Sequence, residues 1–209
     1  MLTLGIDTST PLVSVALASA GSVVPERRDE LVHNGHGEVL AGLIDDVLRA
    51  AGASATDLDA VGVGLGPGPF TGLRVGIVTA AAISDALRIP AYGMCSLDAI
   101  PSKGGARAVM TDARRRQVYW AVYDEHGRRA EGPEISAPTD LVERFRGEGI
   151  RIVGSADGVD EQRWPDAGVI AGHALDLVTG SEPAAPLTPM YLRRPDAREP
   201  GPPKRVTPT

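Results

Sequence analysis

The stretch Gly66-Pro-Gly-Pro-Phe-Thr-Gly-Leu-Arg-Val-Gly76 contains the features that decide the fold. It follows a short apolar run, Val61–Leu65, that is typical of a buried β-strand. It leads into a helical pattern that we expect to span Thr71–Leu87, with Thr71 as the N-cap. A strand, a glycine-rich turn and a helix in succession favour an α/β fold.

This glycine-rich turn has two interpretations. Backbone N–H groups at the start of a helix can surround an anion, but the turn lacks the lysine of a phosphate-binding loop and the spacing of a dinucleotide fingerprint. A rigid turn that lets a glycine-lined helix pack closely is the interpretation that residue chemistry favours. Arg74 lies where the helix dipole disfavours a cation, which suggests a carboxylate or phosphate partner, the alternative being a solvated side chain.

Two helices stand out around this turn. From His36 onward, apolar residues recur at helical spacing, which predicts an amphipathic helix that ends before Gly52. The helix Thr71–Leu87 is apolar on nearly every side and rich in Ala and Gly. A helix of this kind is buried on more than one side, either in the core or by a partner.

The remaining elements suggest an internal duplication. Near the N-terminus an apolar strand ends at Asp7, and a polar turn and a second strand follow; the same order recurs around Asp112. The expected strands are Leu2–Ile6, Leu12–Leu17, Ser22–Val24, Ala106–Thr111, Val118–Tyr123 and Ile150–Val153. The expected later helices lie near Thr139–Phe145 and Ala171–Val178.

Composition narrows the functional classes. The chain has 209 residues, a formal charge of −6, one Cys and four His, so a disulfide framework and a cysteine-based zinc cluster are excluded. The acidic balance argues against this chain alone being the main surface for a nucleic acid. No long apolar run or signal peptide is evident, so we expect no membrane association and a cytoplasmic location.

Candidate chemical groups are few. His33 and His36 with Glu38 suggest a metal site only weakly, since Asn34-Gly35 between them is more typical of a helix cap. Cys95 has no activating neighbour in the sequence and is more typical of a buried apolar position. The run Arg114-Arg115-Arg116 fits an exposed hairpin turn, or a minor phosphate contact if a partner presents RNA nearby.

Taken together, these motifs resemble the bacterial TsaB (YeaZ) family over residues 1 to about 197. The resemblance is carried by Gly5-Ile-Asp7-Thr-Ser9, His36-Gly-Glu38, Gly66–Gly76, Ser96-Leu-Asp98-Ala, Asp112-Ala-Arg114 and Tyr191-Leu-Arg193. The chain departs from the family at Pro69, where Ser is usual. This change removes a hydroxyl and a backbone donor from the turn.

The resemblance implies an actin-like (ASKHA) α/β fold with two duplicated subdomains of mixed sheet and helices. We expect the subdomains at residues 1–100 and 101–195, and a mobile Pro/Arg-rich tail at 196–209. In actin-like folds a hairpin such as Asp7-Thr8-Ser9 faces the nucleotide phosphates, although a strand-end Asp-Thr is also common in ordinary turns. The resemblance leaves open whether ATP or ADP binds at an interface with a partner, and it implies no intrinsic cofactor.

The resemblance also implies a scaffold function without catalytic residues. Family members dimerise with the paralogous TsaD, which transfers threonylcarbamoyl from threonylcarbamoyl-adenylate to N6 of adenosine 37 in tRNA, and an ATPase, TsaE, works with the pair. We expect heterodimerisation with TsaD, a homodimer in isolation and only indirect contact with tRNA. TsaD-type subunits bind a metal through two His four residues apart; here Leu40 follows His36 at that spacing, so no metal site is expected.

The two helices predict the surface for TsaD, because small residues permit close approach and the apolar area is too large to leave exposed to water. Two other classes stay open: an autonomous actin-like ATPase or small-molecule kinase, and a metalloprotease, which lacks ligands here. The expected interface residues are His36, Val39, Leu40, Leu43, Ile44, Val47, Leu73, Arg74, Ile77, Ala80, Ala81, Ile83 and Ser84.

Overall fold

The computed structural model describes residues 1–20, 27–31 and 35–193 of the chain. Within these residues ten strands and four α-helices form. The strands are β1 (Leu2–Asp7), β2 (Leu12–Ser19), β3 (Arg27–Leu31), β4 (Ala60–Gly64), β5 (Ala91–Met94), β6 (Arg107–Asp112), β7 (Val118–Tyr123), β8 (Arg129–Ser136), β9 (Arg151–Gly154) and β10 (Glu161–Gln162). The helices are α1 (His36–Ala50), α2 (Phe70–Leu87), α3 (Pro138–Gly147) and α4 (Ala167–Thr179).

The described strands form two five-stranded sheets of the same topology. The first has the order β3-β2-β1-β4-β5 and the second, read in the same sense, β8-β7-β6-β9-β10. In each sheet the first three strands in chain order are antiparallel neighbours, and the fourth pairs in parallel with the first. The repeated order confirms the duplication predicted from the Asp7 and Asp112 turns.

The first sheet is covered on both faces. Leu4 and Ile6 of β1 contribute to the hydrophobic core that includes Leu40 of α1 and Leu73 of α2. On the opposite face Thr3 Oγ1 donates to the carbonyl of Ala171 in α4 at 2.8 Å. Burial on both faces explains why these central strands read as continuous apolar runs in the sequence.

Helix α4 packs on the first sheet although it follows the second in the chain. A Cβ on Gly5 would lie 2.0 Å from the Ala167 carbonyl oxygen, and one on Gly62 would lie 2.6 Å from that of Ile170. These two glycines therefore allow α4 to approach the strands closely. The expected boundary between residues 100 and 101 separates the two sheets, but α4 crosses back to the first.

Several element boundaries differ from the sequence expectations. Helix α2 begins at Phe70 with Pro69 as its N-cap, so Thr71 does not cap it. Helix α4 begins at Ala167, four residues earlier than expected, and Asp166 caps it by accepting from the Gly168 N–H at 2.7 Å. The expected strand Ser22–Val24 and the expected tail 196–209 lie outside the described residues.

Helix α2 also forms a longer apolar stretch than we expect from the sequence. By length and composition alone its 18 residues could cross a bilayer, which differs from the expectation of no long apolar run. In the structure Leu73, Ile77 and Ala80 are buried, and the helix contacts strands of the first sheet. A helix that covers a sheet inside a domain can meet the same criterion.

Candidate partner-binding site

The glycine-rich turn holds α2 tightly against the turn between β1 and β2. A Cβ on Gly68 would lie 2.4 Å from the Ser9 carbonyl oxygen, and one on Gly72 would lie 2.7 Å from that of Thr8. A Cβ on Gly76 would lie 2.5 Å from Thr8 Oγ1. Because these distances exclude any side chain, the spacing of the three glycines fits the close-packing interpretation of the turn.

Thr8 is inserted into the hydrogen-bonding pattern of α2. Its hydroxyl donates to the Gly72 carbonyl at 2.7 Å and accepts from the Gly76 N–H at 3.1 Å. These two backbone groups are four residues apart, the spacing that an α-helical hydrogen bond would join. The β1–β2 turn and the first two turns of α2 are therefore linked by specific hydrogen bonds.

Asp7 is enclosed beside this contact. Its Oδ1 accepts from the Ser9 N–H at 2.9 Å and from the Ser9 hydroxyl at 2.7 Å, and its Oδ2 accepts from the Ser96 hydroxyl at 2.6 Å. Burial raises the pKa of Asp7, and the hydrogen bonds from Ser96 and Ser9 oppose that rise. A Cβ on Gly64 would lie 1.9 Å from Oδ2, so glycine is required beside the carboxyl.

The three residues expected to face a nucleotide are thus buried. Asp7, Thr8 and Ser9 are each at most 3% exposed, and their side chains bond within the chain. In the structure these residues position the β1–β2 turn against α2.

Arg74 has two aromatic partners instead of the expected carboxylate or phosphate. Its Nε donates to the Tyr191 hydroxyl at 3.1 Å, and its guanidinium lies 4.1 Å from the centre of the Phe70 ring. Phe70 and Tyr191 are themselves stacked, with ring centres 5.2 Å apart. The expected carboxylate or phosphate is replaced here by a cation–π contact and a neutral hydroxyl.

The predicted interface residues divide by burial, and part of the prediction is wrong. Six form the core under α1 and α2 and cannot contact a partner while the chain is folded. The half-buried residues are His36, Val39, Ile44, Ile83 and Ser84, and the exposed ones are Arg74 and Ala81. The six core residues are Leu40, Leu43, Val47, Leu73, Ile77 and Ala80.

The physical reason is that the most apolar stripe of each helix faces the sheet. The outward side of α2 combines small apolar residues with the exposed charged residues Arg74 and Asp85, and Val78 on it is 63% exposed. Gly37 of α1 lies beside α2, since a Cβ on it would lie 4.0 Å from Val75 Cγ1. We define the α1–α2 face as Gly37 and Ala41 of α1 with Thr71, Val75, Val78 and Ala82 of α2.

Comparison with known proteins identifies the family. A family model described as "TsaD: tRNA N6-adenosine threonylcarbamoyltransferase" matches residues 12–156. The tRNA threonylcarbamoyladenosine biosynthesis protein TsaB of Escherichia coli K12 is 35% identical over 190 residues, covering 84% of this chain and 78% of that protein. The chain belongs to the TsaB (YeaZ) family. The TsaD match fits the paralogy of the two families that the resemblance implies.

Further relatives match nearly the whole chain. An uncharacterized protein of Mycobacterium tuberculosis H37Rv is 42% identical over 205 residues, which covers 93% of each chain. A Pseudomonas aeruginosa structure, described as similar to peptidase YEAZ, has a TM-score of 0.77 at 25% identity and covers 92% of this chain and 99% of that chain. The structure titled "YeaZ from Pseudomonas aeruginosa" has a TM-score of 0.75 at 24% identity. The fold is therefore the actin-like α/β fold of TsaB proteins.

His36, which the resemblance relates to a metal ligand of TsaD-type subunits, bonds within this chain. His36 Nε2 donates to the Thr10 carbonyl at 3.1 Å, and Leu40, four residues later, is buried in the core. Among the described residues no group of three or more His, Cys, Asp or Glu side chains could hold a metal ion. His33 lies outside the described residues.

Cys95 is a buried thiol, as expected from its sequence neighbours. It is 6% exposed, and burial, with a contribution from nearby Asp98, raises its pKa to about 11. A thiol with a raised pKa is a poor nucleophile at neutral pH.

Proposed function

We propose that this chain is a non-catalytic subunit of tRNA threonylcarbamoyladenosine biosynthesis that binds TsaD through the α1–α2 face. The TsaB names of the E. coli and Bacillus subtilis relatives support the pathway. The TsaD family model, and a Geotalea uraniireducens tRNA N6-adenosine threonylcarbamoyltransferase that is 42% identical over 77 residues, support a TsaD-related partner.

The observation that carries the proposal is the exposed Val78 together with the small residues beside it on the outward side of α2. Val78 is 63% exposed, Ala81 and Ala82 beside it are exposed as well, and Arg74 and Asp85 border them. Small side chains bring helix axes close together, so a partner's helices can pack against both α1 and α2. The result would be a helix bundle shared between two subunits.

The dimensions of the two helices suit such an interface. With 15 and 18 residues, α1 and α2 are about 22 and 27 Å long at a rise of about 1.5 Å per residue. Stable interfaces bury about 800 Å² on each partner.

When TsaD is absent, the same face would pair with a second copy of this chain, since a self-complementary patch favours a two-fold dimer.

The side-chain chemistry of the described residues supports a scaffold role. Asp7 is enclosed by Ser9 and Ser96, and the Cys95 thiol is buried with a raised pKa. The reaction, any bound ATP or ADP and most of the tRNA contact would therefore belong to TsaD and TsaE in the cytoplasm. An autonomous ATPase would instead bind and turn over ATP with Mg²⁺ as the isolated chain, which calorimetry and phosphate release can measure.

Copurification with tagged TsaD from the same organism tests the interface. Ile83 is half-buried against the core, so the exposed Val78 is the better position for a charge. We expect Val78→Asp and Ala82→Arg to lose copurification while their thermal melting curves stay near that of the wild type. Val169→Asp is the matched control, because Val169 is an exposed valine on α4, 38% exposed, away from this face. Val78→Asp bound at wild-type affinity would overturn the proposed interface.

A further inference from the structure

A cavity of about 340 Å³ lies beside the proposed TsaD-binding face. It opens between the start of α2, the turn joining β6 and β7, and the segment that follows α4. Its volume is in the range of small-molecule sites. Its larger lining side chains are Phe70, Tyr119, Tyr191, Arg114, Arg115 and Arg193.

The charge of this cavity is opposite to that of the chain. The chain carries a formal charge of −6, yet three arginines line the cavity and no acidic residue is among its described lining residues. Arg114 pairs with Asp112, whose Oδ2 lies 3.8 Å from Arg114 Nη1 with both side chains about half exposed or more. Arg193 donates to Gln117, a neutral partner. An anionic ligand therefore meets concentrated positive charge here.

The aromatic side chains add a surface for a planar ring. Phe70 and Tyr191 are stacked yet remain 43% and 37% exposed. Arg74 covers the Phe70 ring and bonds the Tyr191 hydroxyl, so the pair is held in place from the α2 side. Exposed aromatic rings next to arginines are the pattern on which nucleotide bases stack while their phosphates are neutralised.

A second cavity of about 370 Å³ adjoins the first. The two share Pro69 and Arg114, and the second continues past Thr71 to His36 and Thr10. A single mononucleotide would fill only one of them. Two adjoining cavities with a shared arginine fit successive nucleotides of a strand better.

The turn that carries Arg114 and Arg115 is held in a defined backbone conformation. Arg114, Arg115 and Arg116 have φ angles of 60°, 54° and 58°, in the left-handed region that residues with side chains rarely adopt. The Arg114 N–H also donates to Asp112 Oδ1 at 2.8 Å. These constraints fix the direction in which the arginine side chains leave the backbone.

We propose that these two cavities bind a single-stranded segment of RNA, with one base on the Phe70–Tyr191 pair and its phosphates at Arg114 and Arg193. The inference rests on the proposed function, because a subunit that acts in tRNA modification encounters tRNA, and the tRNA would provide the single-stranded segment. The second cavity shares Gly37, Thr71 and Val75 with the α1–α2 face, so RNA in that cavity and TsaD on that face exclude each other. The same phosphate-and-base chemistry occurs in free nucleotides, so the experiment has to separate the two sources.

Fluorescence anisotropy of the full chain with a labelled single-stranded RNA heptamer tests the inference. We expect Arg114→Gln and Arg193→Gln each to weaken binding about fivefold or more, and Tyr191→Leu to weaken it about tenfold through lost stacking. Each arginine change should also lower the slope of log Kd against log salt concentration by about 0.7, as expected for one lost phosphate contact to a single strand. Arg128→Gln is the matched control, since Arg128 is an exposed arginine on the β7–β8 turn that pairs with Asp124.

Three results would overturn the inference: no RNA binding by the wild-type chain, an equal loss in Arg128→Gln, or AMP that binds the wild type without displacing the RNA. We expect AMP to displace the RNA only at a far higher concentration than the unlabelled heptamer does. This result supports binding of single-stranded RNA rather than of a free nucleotide. TsaD copurification of the same variants is measured in parallel. If the wild-type chain does not bind RNA but still copurifies with TsaD, only this inference fails. If the wild-type chain does not copurify with TsaD, the proposed function is contradicted.

Discussion

The N–H of Gly76 donates to the hydroxyl of Thr8 at 3.1 Å, and a Cβ on Gly76 would lie 2.5 Å from that hydroxyl oxygen. This contact joins the β1–β2 turn to a helix nearly 70 residues later in the chain. Gly76 is therefore required for close packing, and α2 owes its position on the sheet to this and the neighbouring glycines.

Alanine substitution of helix glycines tests this packing. We expect Gly76→Ala to lower the free energy of unfolding by about 2 kcal/mol, because the methyl group overpacks the contact and displaces the Thr8 hydroxyl. Gly42→Ala is the control: nothing lies within 4 Å of a Cβ on Gly42, so helix propensity alone should raise stability by up to about 1 kcal/mol. Urea denaturation measures both. Equal effects at the two sites would contradict the packing account.

Asp7 predicts a pH-dependent stability. Burial raises its pKa in the folded state above the ordinary value of 3.8, so folding favours the protonated carboxyl. Its contribution to stability is therefore fully present below pH 3.8 and is lost as the pH rises through the raised folded-state pKa. The free energy of unfolding of the wild type should therefore fall as the pH rises through this range, and Asp7→Asn should lack this part of the fall. Urea denaturation at a series of pH values measures both proteins. Parallel profiles for wild type and variant would show that the carboxyl is not the cause.

Tyr191 should anchor the segment that follows α4. Its ring stacks on Phe70, its hydroxyl accepts from Arg74, and the neighbouring Met190 N–H donates to the Leu65 carbonyl at 2.8 Å. We expect Tyr191→Ala to speed tryptic cleavage after Arg193 several-fold, while Tyr191→Phe, which keeps the ring, changes it little. Mass spectrometry of timed digests gives the rates. Cleavage at the wild-type rate in Tyr191→Ala would mean that the ring does not hold this segment.

Cys95 should react slowly in the folded chain. With a pKa of about 11, about one thiol in a thousand is ionised at pH 8, and burial further limits access. We expect iodoacetamide to modify it at least a hundredfold more slowly in buffer than in urea, as followed by intact mass. Rapid modification of the native chain would instead indicate an accessible, activated thiol.

The sequence favoured close packing because a glycine-rich turn, Gly66–Gly76, leads into a helix rich in small residues, and it predicted the duplication because both Asp7 and Asp112 close apolar strands. It failed to separate core from surface on α1 and α2, since Leu73 and Val78 are both apolar and only the position of the sheet distinguishes them. The Arg74 partner was also out of reach, because Tyr191 lies 117 residues away in sequence. Strand β5 was missed because Tyr92-Gly-Met94 is too short for a clear pattern.

The central claim is that this chain supports TsaD through the α1–α2 face. Coexpression with TsaD and TsaE of the same organism, in cells depleted of their own TsaB, tests it most directly when threonylcarbamoyladenosine in tRNA is quantified by nucleoside mass spectrometry. We predict full modification with the wild-type chain and with Val169→Asp, and loss of modification with Val78→Asp or without the chain. Equal modification in the absence of this chain, or with Val78→Asp at the wild-type level, would contradict the account.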